Sequence, residues 1–184
     1  MTTYSQRSPA LGPREFSKYR QHTNLGFSLL VGAPLGQYDP SKLINLGGNR
    51  WSFKPEIGLS KASGKWIFDL YGGVRFFTSN DNFGGSQVRE QYPIGSVQGH
   101  VIYIVRPRLW LAFNANFYSG GRTTIEGEER RDLQRNSRWG VTASLPLAVR
   151  HSLKLAFSRG TTTNIGADFT NFAASYQFYW FDGQ

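Results

Sequence analysis

The sequence contains no cysteine, which excludes a disulfide framework and any cysteine-based metal site. Its three histidines, His22, His100 and His151, stand apart, with no HxH or HxxxH spacing. No metal site and no cofactor are therefore expected. There is no GxSxG nucleophile elbow, and neither Gly47-Gly48 nor Gly84-Gly85 is followed by Lys-Ser/Thr at P-loop spacing. No catalytic residue is assigned, and the chain is read as a non-enzyme. No apolar run approaches the roughly 20 residues of a membrane helix. The chain also opens Met1-Thr2-Thr3-Tyr4-Ser5-Gln6-Arg7, without the apolar stretch of a signal peptide. Despite a net charge of +9, no run of five Lys/Arg occurs. Basic residues are dispersed, so nucleic acid is not an expected partner, whereas anionic headgroups or a cation-lined lumen fit the excess.

What is present is alternation. The chain has 184 residues, 21 glycines and 15% aromatics, enough for one domain. Its mean hydropathy is −0.42, and transmembrane strands that alternate are only mildly apolar on average. Trp66, Phe68, Leu70, Gly72, Val74 and Phe76 share one parity, with Asp69, Tyr71, Gly73 and Arg75 on the other. A period of 2 predicts a strand with two unlike faces. The same reading predicts eight strands, at about 23–34, 50–61, 66–78, 95–106, 109–119, 137–147, 151–159 and 170–180. Pro55 is awkward within the second, since proline gives no ladder donor, and Ile102 and Ile104 break the polar face of the fourth.

Long connections (35–49, 79–94, 120–136, 160–169) alternate with short ones (61–65, 106–108, 148–150). Outer-membrane barrels combine short periplasmic turns with longer outer loops, a rule that assigns both chain ends to the periplasm. The expected fold is all-β, an antiparallel up-and-down transmembrane β-barrel in which about eight strands either close alone or belong to a larger ring. A short N-terminal helix from Pro13 to Gln21 is expected within a periplasmic segment 1–22, with the barrel domain at 23–184. The tryptophans Trp51, Trp66, Trp110, Trp139 and Trp180 lie at strand ends, as an interfacial girdle requires. Trp110 is the exception in parity, falling on the polar face.

Alternation alone does not say which face meets water. A soluble barrel hides its apolar face, and a membrane barrel inverts it. Here the apolar face is bulky and uncharged, while the other mixes a few charges with Gly, Ser and Asn. That favours apolar side chains facing lipid, where Arg or Lys costs roughly 2–4 kcal/mol at the midplane. The candidate solute path is then Lys54, Glu56, Asp69, Arg75, Gln98, His100, Asn114, Asn116, Arg138, Lys154 and Gln177. The alternative is an ion-pair network filling a narrow eight-stranded ring, with Tyr71, Phe77, Trp110 and Tyr118 plugging it. The 126–135 loop, a mixed cluster of Glu and Arg, either bridges lipopolysaccharide or is merely solvated.

Several stretches carry a family likeness: Gly36-Gln37-Tyr38-Asp39-Pro40-Ser41-Lys42-Leu43-Ile44-Asn45-Leu46-Gly47, Asn49-Arg50-Trp51, Lys54-Pro55-Glu56-Ile57-Gly58, Phe77-Thr78-Ser79-Asn80-Asp81, Gln98-Gly99-His100, Asn136-Ser137-Arg138-Trp139-Gly140, Leu145-Pro146-Leu147 and Ser158-Arg159-Gly160. From about Ser8 to Trp180 the chain resembles the outer-membrane transporter family named for the phenol meta-degradation pathway. The resemblance implies a porin-like β-barrel of the Gram-negative outer membrane, often linked to uptake of aromatic compounds. It also implies a longer protein, with a signal peptide and further N-terminal strands, of which this chain looks like the C-terminal part. The expected function is a channel or transporter for small aromatic or anionic solutes. A structural outer-membrane barrel without transport and a soluble ligand-binding barrel stand as alternatives. Expected partners are outer-membrane lipid, lipopolysaccharide, the solute, and the barrel-assembly machinery during biogenesis.

Overall fold

The computed structural model describes residues 2–5, 23–42, 44–178 and 180. The helix expected at 13–21 lies outside them. The elements are β1 (Thr2–Ser5), β2 (Thr23–Gly32), β3 (Ser52–Ser63), β4 (Trp66–Phe77), β5 (Asn80–Phe83), β6 (Gln87–Gln91), β7 (Ile94–Arg106), β8 (Leu109–Gly120), β9 (Thr123–Ile125), β10 (Glu128–Glu129), β11 (Gln134–Ala148), β12 (His151–Thr162) and β13 (Thr170–Phe178). No helix occurs among the described residues.

Nine strands form one antiparallel sheet in the order β1-β2-β3-β4-β7-β8-β11-β12-β13. Each of the eight strands read from alternation is there. The β3–β4 pairing lapses only at Lys54 and Pro55, with the same register on either side; proline has no N–H to give. The ninth strand, β1, pairs Thr2 with Leu29 and Ser5 with Gly26. The segment 1–22, expected to lie outside the barrel, therefore contributes a strand. Four residues, Thr-Thr-Tyr-Ser, are too few and too polar to show a period.

Among the described residues β1 and β13 each pair on one side only, so the sheet is an open arc. Nine antiparallel strands leave both edges running the same way. An antiparallel ring containing this arc needs an odd number of further strands between those edges.

The long connections hold structure that alternation does not reveal. Two of them pair with each other in a second sheet of order β10-β9-β6-β5, with Arg89 opposite Ile125 and Gln91 opposite Thr123. The 35–49 connection is folded on itself. Asn45 Nδ2 donates to the carbonyls of Asp39 and Lys42, each at 3.0 Å, and Asn45 Oδ1 accepts from Asp39 N at 2.7 Å. A side chain at Gly47 would meet Gly36 O at 2.7 Å, so both glycines are required by a backbone-to-backbone approach. Asn80 is the hub beneath. Its Nδ2 donates to Tyr38 Oη at 2.9 Å, and its Oδ1 accepts from Asn49 Nδ2 at 2.9 Å and from Asn82 N at 3.1 Å.

The faces settle which way the sheet is turned. Phe68 is 45% exposed, Leu70 55% and Phe113 49%, while Ala112 is the one fully buried hydrophobic among the described residues. Soluble proteins rarely expose contiguous apolar patches of more than a few hundred Å², and here large apolar side chains are exposed along one face of strand after strand. The soluble-barrel alternative needs these side chains at a dry centre, and they are not there.

Candidate functional site

Polar side chains line the other face in cross-strand rows. One row runs Gly58–Tyr71–Gln98–Asn116–Arg138, and the next toward the long loops runs Glu56–Gly73–Ser96–Tyr118–Asn136. Beyond it lie Arg75, Ile94, Gly120 and Gln134. Period 2 puts all of these on one side, and hairpin register aligns them.

Two cavities open on this face. The first, of about 390 Å³, brings together Lys54, Glu56, Arg75, Gln98 and Asn116 with Tyr71, Phe77, Tyr118, Ser96 and Gln134. Gly73, between Tyr71 and Arg75 on β4, is covered by Lys54 and Glu56: a side chain there would meet Lys54 Cε at 3.1 Å and Glu56 Cβ at 3.2 Å. The second, of about 160 Å³, is lined by Gln98, His100, Asn114, Asn116 and Arg138 among others. Asp69, Lys154 and Gln177 share the face but line neither cavity.

The charges are partly neutralised. Lys54 Nζ donates to Glu56 Oε2 at 2.6 Å, both half-buried. Arg138 donates to Ser158 Oγ at 3.0 Å and to Phe169 O at 2.8 Å, and sits 3.9 Å from the Phe169 ring centroid. Lys154 Nζ lies 5.8 Å from the Trp110 ring centroid. Ser152 Oγ donates to Gln177 Oε1 at 3.3 Å. Arg75 makes no hydrogen bond, ion pair or ring contact among the described residues.

His100 anchors a directed chain. Gln98 Nε2 donates to His100 Nε2 at 2.7 Å, His100 Nδ1 donates to Asn114 Oδ1 at 2.6 Å, and Asn114 Nδ2 donates to Thr142 Oγ1 at 3.0 Å. This order requires neutral imidazole protonated on Nδ1. Asp69 Oδ1 and Asn116 Oδ1 are buried without a hydrogen-bond partner.

Toward the short turns the face changes character. Ile67, Ile102 and Ala112 form one row, and Ile104 faces Trp110 in the next. Ile102 and Ile104 thus break the polar pattern because they join an inward apolar layer. Trp110 belongs to this layer, and not to the outward aromatic set.

On the outer face the other tryptophans pack against aromatic neighbours. Trp51 stacks on Phe53 at 6.3 Å, Trp66 meets Tyr103 at a tilt at 4.8 Å, Trp139 meets Phe157 edge-on at 5.6 Å, and Trp180 meets Phe178 at a tilt at 6.1 Å.

Residues above the polar face were not singled out from sequence. Asn136 Nδ2 donates to Tyr118 Oη at 2.8 Å and to Ile165 O at 2.9 Å, tying the last long loop to the sheet. Gln91 Nε2 donates to Gly121 O at 2.7 Å, and its Oε1 accepts from Arg50. Burial, and then the charge of Arg89, lowers the Arg50 guanidinium to about 10. The Asn-Ser-Arg-Trp-Gly and Asn-Arg-Trp stretches were the only available signal for Asn136 and Arg50.

The profile of a family described as "Putative MetA-pathway of phenol degradation" matches residues 7–182. The crystal structure of an outer membrane channel from Pseudomonas putida F1 superimposes with a TM-score of 0.75 at 28% identity, covering 91% of this chain and 61% of that channel. The chain thus spans 61% of the length of that structural relative. No curated protein matches it. The open arc belongs to the wall of a bacterial outer-membrane β-barrel, with its exposed apolar face toward lipid.

Proposed function

The chain belongs to the family described as "Putative MetA-pathway of phenol degradation", and on that premise we propose that it forms the wall of a channel passing small aromatic or anionic solutes. The observation that carries this is the inversion of the sheet: exposed bulk outside, and a charge-bearing face with two cavities inside. A pore wall needs polar groups that replace part of a solute's hydration without holding it too tightly. In this reading Lys54, Glu56, Asp69, Arg75, Gln98, His100, Asn114, Asn116, Arg138, Lys154 and Gln177 line the path. Trp51, Trp66, Trp139 and Trp180 sit at the two lipid interfaces. The barrel domain spans 23–184 with β1 added at its edge. Lipopolysaccharide meets the outer surface, the barrel-assembly machinery inserts the protein, and no chemical step is assigned to it.

A structural barrel without transport is the second reading. It is favoured by the Lys54–Glu56 pair and the closed His100 chain, which satisfy their own groups without a solute. Planar-bilayer recording on the folded protein decides between them. Stepwise ohmic conductance, with a reversal potential favouring anions, is expected. Folded protein that gives no conductance, and proteoliposomes that take up benzoate and phenol no faster than empty ones, would overturn the channel.

A further inference from the structure

We propose that the larger inward cavity is a binding subsite for a single-ring aromatic carboxylate, with Arg75 as its anion-binding group. The subsite rests on the channel reading, since it lies on the face proposed to line the pore. Three features carry it. First, the cavity holds two cations and one anion, and the anion is taken: Glu56 is bound to Lys54 at 2.6 Å, which leaves Arg75 without a partner among the described residues. A guanidinium with free N–H groups matches a carboxylate as a two-point donor. Second, Tyr71, Phe77 and Tyr118 supply aromatic walls, which suit a flat ring by offset or edge contact. Third, Gln98 and Asn116 line the same cavity, and Asn116 makes no hydrogen bond among the described residues, so polar amide wall stands beside the aromatic one. The volume of about 390 Å³ lies in the range of small-molecule sites, about 300–1,000 Å³.

The position explains how such a site would act. Arg75 and Phe77 lie at the long-loop end of β4, and Tyr71 lies deeper, toward the apolar layer of Ile67, Ile102 and Trp110. A ligand held by its carboxylate at Arg75 lays its ring deeper, beside Tyr71, where the wall is progressively less polar. Neutral phenols find the walls but not the charge, and acetate finds the charge but not the walls.

Calorimetric titration of the full chain, folded in detergent micelles, tests this with benzoate, benzyl alcohol and acetate. Benzoate is expected to bind at least about tenfold more tightly than either control. Arg75→Gln should remove that advantage while leaving benzyl alcohol binding unchanged, and Tyr71→Leu should weaken both aromatic ligands. Heat-modifiable migration on gels reports folding for each variant. Should Arg75→Gln fail to fold, Arg75→Lys is read instead, with a smaller loss expected because the two-point geometry is gone. Benzoate binding that is absent, matched by acetate, or unaffected by either Arg75 variant overturns the subsite. Bilayer recording on the same preparation keeps the two readings apart: binding without conductance removes the channel and leaves the subsite, and conductance without binding does the reverse.

Discussion

One edge of the Tyr71 ring lies against Gly58 across the β3–β4 pair: a methyl group at Gly58 would stand 2.6 Å from both Cδ1 and Cε1 of the ring. The missing side chain is what lets the ring edge come this close to the neighbouring strand while Tyr71 lines the cavity. Gly58→Ala should force the ring off its seat. Overpacking of this kind costs about 1–3 kcal/mol, read as a lowered thermal midpoint in detergent. Gly58→Ala combined with Tyr71→Leu should recover most of the loss, because the two residues are in contact and their effects are not additive. A double variant as unstable as the sum of its parts would mean that the glycine serves some other purpose.

Leu70 and Arg75 lie on opposite faces of the same strand, and the sheet orientation predicts opposite tolerances. Leu70→Arg places a charge on the lipid face, at a cost of about 2–4 kcal/mol if it lies near the midplane. It should lower the folded yield in lipid vesicles, measured by gel mobility shift. Arg75→Gln removes an unpaired charge from the inner face, so the protein should fold as well as the parent. The reverse ranking would mean that the faces are assigned the wrong way round.

The eight long strands were legible because each is long enough, nine residues or more, for a period of 2 to show, and because lipid on one side forbids charge at alternate positions. That the polar side chains share one face was legible for the same reason. Which of them meet was not, because cavities depend on register across four or five strands. The loop sheet escaped because its strands are short and polar and pair between segments more than 30 residues apart, as Gln91 does with Thr123. Pro55, a warning against a central strand when read alone, turned out to sit where the ladder is interrupted.

Asp132 gives the loop sheet a pH dependence. Burial pushes its carboxyl up, but Thr123 outweighs this by donating from its hydroxyl at 2.6 Å and its amide at 2.8 Å, so the group sits below its ordinary value. A depressed folded value means that the contribution is complete above the unfolded value of about 3.9 and is lost as pH falls through the lower folded one. Exchange protection at the Thr123 amide, corrected for intrinsic rate, should hold at neutral pH and fall below about pH 4. In Asp132→Asn that acid-dependent loss should disappear. Protection that does not change with acid in the parent would show that Asp132 does not hold this strand.

Arg108 stitches two neighbouring short turns together. It follows Pro107 with φ of +67°, the order of proline and then positive φ found in type II turns, where glycine is the usual second residue. A non-glycine residue there carries strain of about 1–3 kcal/mol, so something must hold it. The side chain does: its guanidinium donates to Ala148 O at 2.8 Å and to His151 O at 2.7 Å, and also to Val149 O. Hydrogen bonds from a charged donor are worth about 1.5–3 kcal/mol. Arg108→Ala keeps the strain and loses the clasp, so it should lower the thermal midpoint. Arg108→Gly loses the clasp but relieves the strain, and should lie between Ala and the parent. Arg108→Lys should rescue little, since one ammonium cannot span carbonyls on both sides of a turn as a planar fork does. A lysine variant as stable as the parent would show that charge alone, without the fork, secures this end of the sheet.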